Sequence, residues 1–226
     1  MNITIFTEES GVKLPEIRKW KKSSGKGKDI SKDEVLISLL KKNDLSLPEY
    51  DIELEMKYRN VLHEFLRPAK TMFASMFFEV LNFKNELSNY EHTSLYIISG
   101  RYGLLKEDEI IVPYISNISN VGDVKLFDKR TKFCKKMFEE AKESDLILMF
   151  LPSYFINYLL SINWFSCLNT NTTVVLVTSK NFKNNFSDMP NVKILERKGV
   201  ARIGIYNREE IISIISSLNT NCDNTL

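Results

Sequence analysis

Four short uncharged runs constrain the fold of this 226-residue chain more than any other feature: Ile3 to Phe6, Leu95 to Ile98, Leu146 to Leu151 and Thr173 to Thr178. Strands covered on both faces read as near-continuous apolar or β-branched runs, whereas strands with one wet face alternate. Helical periodicity fills the stretches between the runs. The pattern predicts an α/β fold, a three-layer sandwich with a mainly parallel central sheet and helices on both faces. A chain of this length buries most of its unfolded surface. Residues 1–226 are therefore expected to form a single domain, with a basic flexible loop and a helical segment at about 13–65.

Helical spacing places Leu54, Tyr58, Val61, Leu62 and Phe65 on one face between Asp51 and Phe65. After Pro68, it gives a core stripe of Met72, Phe73, Met76, Phe77 and Val80. Ser31-Lys32-Asp33-Glu34 has the form of a capping box, which predicts a helix starting at Ser31. Asp123 to Lys142 reads as one long amphipathic helix burying Cys134. Val192 to Leu195 and Ala201 to Tyr206 read as short strands joined by a turn at Arg197-Lys198-Gly199, ahead of a last helix starting at Asn207.

With 43% hydrophobic and 27% charged residues, the composition is that of an ordinary globular protein. No apolar run approaches the roughly 18 residues that span a bilayer, and no cationic and apolar leader precedes the first strand, so a cytoplasmic protein without a membrane partner is expected. Cys134, Cys167 and Cys222 are widely spaced without a CxxC pair, and His63 and His92 are the only histidines. Neither a disulfide framework nor a zinc site is expected, and the pattern calls for no cofactor. The net charge of +2 conceals an asymmetry near the N-terminus. Lys13, Arg18, Lys19, Lys21, Lys22, Lys26, Lys28 and Lys32 face only Glu16 and Asp29. Such a segment can follow nucleic-acid phosphates, fold over a bound phosphate, or simply solubilise the surface.

The candidate site is the stretch Leu95 to Tyr114, LYIISGRYGLLKEDEIIVPY. A buried run ends there at Ser99-Gly100, and ligands of open α/β sheets bind beyond the carboxyl ends of the strands. Lys106, Glu107, Asp108 and Glu109 then put one cation and three carboxylates in four positions. Strand, turn and solvated acidic loop is an equally ordinary description of the same residues. Leu146 to Leu151 repeats the arrangement, ending at Pro152-Ser153-Tyr154, and Lys180 follows the fourth run as a candidate anion contact.

Ser99-Gly100-x-Tyr102-Gly103-Leu104-Leu105, Glu109 and Pro113-Tyr114 resemble the SG-x-YGLL…D…PY signature of YaaA-type peroxide-stress proteins and of a related bacterial and archaeal family. Pro68 to Phe77 is similar to the related family's PA-x-x-LYTG/S-x-x-F pattern, with Phe73 in place of the tyrosine. Ile3 to Phe6 with the loop containing Lys13 resembles, more loosely, the family's first strand and SPAK-like turn. Tyr154 falls where these families carry a tyrosine. The resemblance implies nucleic acid, DNA above all, as the partner, and a link to nucleobase modification or glycosylase-like chemistry.

From the residues themselves, Ser99 has no evident base and no hydrolytic triad is visible. A carboxylate with backbone amides and tyrosines around a heterocycle is sufficient to hydrolyse an N-glycosidic bond, whose transition state is oxocarbenium-like. Asp108 or Glu109 would be that carboxylate. Ser99, Gly100, Tyr102, Gly103, Tyr114 and Tyr154 would hold the base, and Lys13, Lys21, Lys22, Lys26, Lys28 and Lys180 the phosphates. The sequence thus suggests a DNA-acting protein that recognises a base, with N-glycosylase activity as its chemistry. A non-catalytic DNA-binding stress protein and a nucleoside- or nucleotide-processing enzyme remain open alternatives.

Overall fold

The computed structural model describes residues 1–15, 26–199 and 201–223. Along the chain run β1 (Asn2–Glu8), α1 (Glu34–Lys42), α2 (Glu55–Val61), β2 (Arg67–Pro68), α3 (Ala69–Met72) and α4 (Phe77–Leu87). Then come β3 (His92–Ser99), β4 (Gly103–Lys106), β5 (Ile110–Ile111), α5 (Val121–Thr131) and α6 (Phe133–Ala141). The chain continues through β6 (Leu146–Phe150), α7 (Ser153–Ser161), β7 (Thr173–Thr178), β8 (Val192–Glu196) and α8 (Ile205–Asp223).

The main sheet has the order β4-β3-β1-β6-β7-β8. Every pairing in it is parallel except β3 with β4, which form an antiparallel hairpin at one edge. Side chains alternate across the sheet, so each buried run feeds two cores. Leu146, Leu148 and Phe150 of β6 join Ile3 and Ile5 of β1 on the face covered by α1, α2, α4 and α8. Ile147 and Met149 join Phe6 and Ile98 on the face covered by α5, α6 and α7. The expected three-layer α/β sandwich is the observed architecture. Among the described residues no helix is long and apolar enough to cross a membrane.

Counted along the chain without the short and antiparallel pieces, the five parallel strands run in the doubly wound order 2-1-3-4-5. Connections leave β1 and β6 in opposite directions, which opens a crevice beyond their carboxyl ends.

Several local expectations need correction. The first helix starts at Glu34, because Asp33 rather than Ser31 is its cap and accepts from Leu36 N. Asp29 caps a separate 3-10 turn over Ile30–Lys32. The long helix from Asp123 is two helices, broken at Lys132, whose φ of 56° is left-handed. Phe127 and Phe133 stack across the break with ring centroids 4.6 Å apart, so the apolar face continues although the helix does not. The stripe after Pro68 is likewise interrupted, at Ser75 with φ 61°, while Met72, Phe73, Phe77 and Val80 are buried as expected. Residues 201–204 form no strand. Arg202 instead turns inward and its buried guanidinium donates to the carbonyls of Glu8 and Glu9, and to Thr7 Oγ1 at 2.9 Å.

Candidate functional site

At this crevice a cleft of about 540 Å³ opens between the ends of β1, β3 and β6. Glu8, Glu9, Ser10 and Gly11 reach it from β1, and Tyr154 and Phe155 from the first turn of α7. Ser116, Asn117 and Ser119, from the segment before α5, and Arg197 and Arg202, after β8, complete its polar wall.

Glu9 is held from several directions. Gly100 N donates to Oε1 at 3.0 Å, and the Tyr114 hydroxyl donates to Oε2. Because Tyr114 gives its proton to the carboxylate, Ser99, whose Oγ lies 2.7 Å away, donates to Tyr114 and accepts from Tyr102 N at 3.1 Å. Ser99 and Tyr114 are fully buried, so this relay is shielded from water and each bond in it is worth more than on the surface. Burial and the Glu9 charge push the Tyr114 phenol far above its usual range, which keeps it a donor.

Lys13 lies beneath this network. It is 1% exposed, its ammonium sits 3.8 Å from Glu9 Oε2 and 4.4 Å from the centre of the Tyr114 ring, and it donates to Ser10 O at 3.1 Å. Burial pushes its pKa down, opposed by Glu9. Phe73, where the resembled pattern has tyrosine, is a buried ring packed edge-on to Tyr114 at 6.4 Å.

Glu8 has a different environment. Burial raises its pKa, while Arg202, 3.6 Å from Oε1, and the Tyr154 hydroxyl, which donates to Oε2 at 3.1 Å, oppose the rise. The Tyr154 phenol is itself pushed up by burial and by Glu8.

Gly100 is needed for close approach. A Cβ there would lie 1.9 Å from Ser116 Oγ and 3.0 Å from Glu9 Oε1. Gly103 is needed for its φ of 90° at the start of β4. Between them Arg101, the variable position of the motif, is buried and clamps the loop to the helical segment. It pairs with Asp51 at 2.6 Å and Glu55 at 3.0 Å. Tyr102 donates to Glu55 and accepts from Val112 N, so it braces the loop.

The sequence-predicted residues therefore divide. Ser99, Gly100 and Tyr114 gather behind Glu9, Tyr102 and Gly103 build the hairpin beside Ser99, and Tyr154 lines the cleft beside Glu8. Asp108 and Glu109, the expected catalytic pair, do not line the cleft. Asp108 is 72% exposed and pairs with Lys70 at 2.5 Å, and exposed Glu109 caps the backbone N of Lys106 at 2.7 Å. Glu107 pairs with Lys84 at 2.6 Å. Glu109 thus closes the tight turn between β4 and β5, while Glu107 and Asp108 tie it to α4 and α3. Lys13 faces Glu9 rather than solvent. Lys26 and Lys28 are exposed, with Lys28 3.6 Å from Asp33, and Lys21 and Lys22 lie outside the described residues. Lys180 lines a neighbouring cavity.

The sequence reading missed Glu8, Glu9 and Arg202. The available signal was a pair of adjacent carboxylates directly after the buried run of β1, the same run-then-polar arrangement noted at Ser99 and Pro152. Among the described residues no group of three or more His, Cys, Asp or Glu side chains is placed to hold a metal ion. Comparison of the chain with protein-family models and with curated proteins finds no match.

Proposed function

We propose that the cleft cleaves an N-glycosidic bond in a nucleobase-carrying substrate. The observation that carries this reading is the pair Glu8 and Glu9. They are adjacent carboxylates at the switch point of the sheet, Glu8 beside Arg202 and Tyr154, and Glu9 tied to Gly100 and Tyr114. Glu9 has both oxygens tied by Gly100 and Tyr114, so its carboxylate is positioned to face the positive charge that develops on the sugar. Glu8, with its pKa raised by burial, is able to carry a proton at higher pH than a solvated carboxylate. In the proposed step the C1′–N bond breaks and its electron pair leaves with the base, which takes the proton of Glu8. Water then bonds to C1′ and returns a proton to Glu8, so the carboxyl ends as it began. The resemblance of Ser99 to Tyr114 to the YaaA-type signature fits this arrangement, with the motif residues building the support of Glu9.

DNA as the carrier of the base is a second reading, favoured by an exposed stripe on α5 and α6. Lys125, Lys129, Arg130, Lys132, Lys135 and Lys136 are six cations along these helices against the acids Asp123, Asp128, Glu139 and Glu140. Arg130 stacks over Tyr50 at 4.0 Å. Such a stripe suits phosphate contacts that weaken with salt.

The test is incubation with nucleosides, nucleotides and DNA carrying normal and modified bases, with chromatography for free base and alkaline cleavage for abasic sites. Base release that disappears in Glu8→Gln and Glu9→Gln supports the reading. Salt-sensitive DNA binding without base release from any substrate replaces it with a non-catalytic DNA-binding protein.

A further inference from the structure

A second cavity, of about 500 Å³, lies beside the cleft over the carboxyl ends of β6, β7 and β8. The two are joined. Arg197 lines both, and consecutive residues of α7 divide between them, Tyr154 in the cleft and Ser153 in the second cavity. A ligand occupying both would pass Arg197 and the first turn of α7.

Their charge differs. The cleft presents Glu8 and Glu9 with Arg202, whereas the second cavity presents Lys180, the hydroxyls of Ser153 and Ser179, and the Asn181 amide, and Arg197 stands on the wall that they share. Glu196 is the acid at this rim, and its backbone carbonyl is occupied by Asn207 Nδ2 at 3.2 Å. The residue preceding α7 is Pro152, whose carbonyl accepts from Phe155 N at 3.0 Å and which has no side-chain acceptor for the N–H of Ser153 at the start of this nine-residue helix. Cations, hydroxyls and an amide around one space recognise a phosphate monoester.

We infer that this second cavity is a phosphate subsite and that the substrate of the cleft is a free nucleoside 5′-monophosphate rather than a base within a DNA strand. The inference rests on the glycosidic reading of the cleft. One carbon separates a 5′-phosphate from the sugar ring, which suits adjoining cavities that share a wall. A substrate that is anionic at one end and becomes cationic at C1′ is matched by cations in one cavity and carboxylates in the other.

The deciding experiment has two arms. In the first, calorimetry compares ribose with ribose 5-phosphate on the wild type and on Lys180→Glu and Ser153→Asp, both substitutions of exposed side chains. Ribose 5-phosphate is expected to bind more tightly than ribose, and each variant to weaken it by about 10- to 100-fold, the range for a hydrogen bond to a charged group. In the second arm, base release is compared among a nucleoside, its 5′-monophosphate and an oligonucleotide. A higher kcat/KM for the monophosphate, with the preference reduced in Lys180→Glu through KM, supports the subsite. Equal affinity for ribose and ribose 5-phosphate overturns it, as does faster release from the oligonucleotide, and either result leaves the glycosidic reading intact if base is released. Lys180-dependent phosphate binding without base release from any substrate supports the subsite and overturns the glycosidic chemistry.

Discussion

Two carboxylate clusters follow β-strands in this molecule, and their surroundings are opposite. Glu8 and Glu9 end β1, at the centre of the sheet, and meet Arg202, Tyr154, Tyr114, Gly100 and Lys13. Glu107, Asp108 and Glu109 follow β4, at the sheet edge, and meet Lys84, Lys70 and the backbone of Lys106. Composition favours the second cluster, with three carboxylates in a row. Topology favours the first, because only the central strand's end lies where the crossovers diverge. A carboxylate's chemistry is set by what is held against it, and what can be held against it depends on where its strand lies.

The sharpest way to break this comparison is to neutralise each cluster in turn. Glu9→Gln and Glu8→Gln are expected to lower base release by about 10²–10⁴-fold, the usual contribution of a positioned acid or base. Glu109→Gln is expected to leave release unchanged. The pH profile adds a sign. Release needs protonated Glu8, so it should fall as pH rises through the raised Glu8 pKa, and Glu8→Gln should lose that limb. Equal losses from Glu109→Gln would move the chemistry to the edge turn.

Gly100 joins the two regions, since its N–H holds Glu9 while its chain continues into β4. In Gly100→Ala the new methyl would press on Ser116 and Glu9, and overpacking of this kind costs about 1–3 kcal/mol. Urea unfolding should show that loss. Gly11→Ala, where a Cβ meets nothing within 4 Å, should leave stability unchanged. Recovery in Gly100→Ala/Ser116→Gly, measured against Ser116→Gly alone, would identify the contact responsible.

The phenol of Tyr114 tests the relay rather than the space. Tyr114→Phe keeps the ring against Lys13 and Phe73 but takes away the acceptor of the Ser99 hydroxyl proton and the hydroxyl donor to one oxygen of Glu9, at a cost of about 1–3 kcal/mol for buried polar groups. Tyr102→Phe, at a half-buried position, should cost less. The order reverses only if the hydroxyl of Tyr114 is dispensable to Glu9.

How far these features were legible follows from the range of the interactions that make them. The buried runs, the sheet class and the gathering of Ser99, Gly100 and Tyr114 could be read because each rests on local pattern or on one contiguous motif. Lys13 could not. In a cationic segment it reads as solvent-facing, and its burial depends on Tyr114, Phe73 and Glu9 from three separate elements. Arg202 looked like part of a strand for the same reason, since the carbonyls that receive it belong to the end of β1. Glu8 and Glu9 were visible as residues but not as a site, because strand order depends on crossovers that no window of sequence contains.

Lys13 also gives the comparison a slope in pH. Its folded pKa is depressed below the ordinary 10.5 by burial, so between the folded value and 10.5 the unfolded chain binds more protons than the native one. The free energy of unfolding should therefore rise with pH across that window, by the linkage relation. In Lys13→Met the rise should vanish. Unfolding midpoints in urea, taken from neutral pH to pH 10, report it, and a slope that survives in Lys13→Met would assign the titration to another group.

The smallest effect belongs to the edge turn. Asp108 and Lys70 lie 2.5 Å apart, and the carboxylate raises the lysine's pKa, yet Asp108 is 72% and Lys70 36% exposed. Water and salt screen such a pair, and exposed ion pairs contribute about 0–1 kcal/mol. Asp108→Asn should therefore shift stability by less than about 1 kcal/mol at low ionic strength, and by less again in 1 M salt, where the screening length falls to about 3 Å. A loss of several kcal/mol that persists in high salt would mean that the turn bears on the fold beyond this ion pair. The contrast between central and edge carboxylates would then hold for chemistry but not for stability.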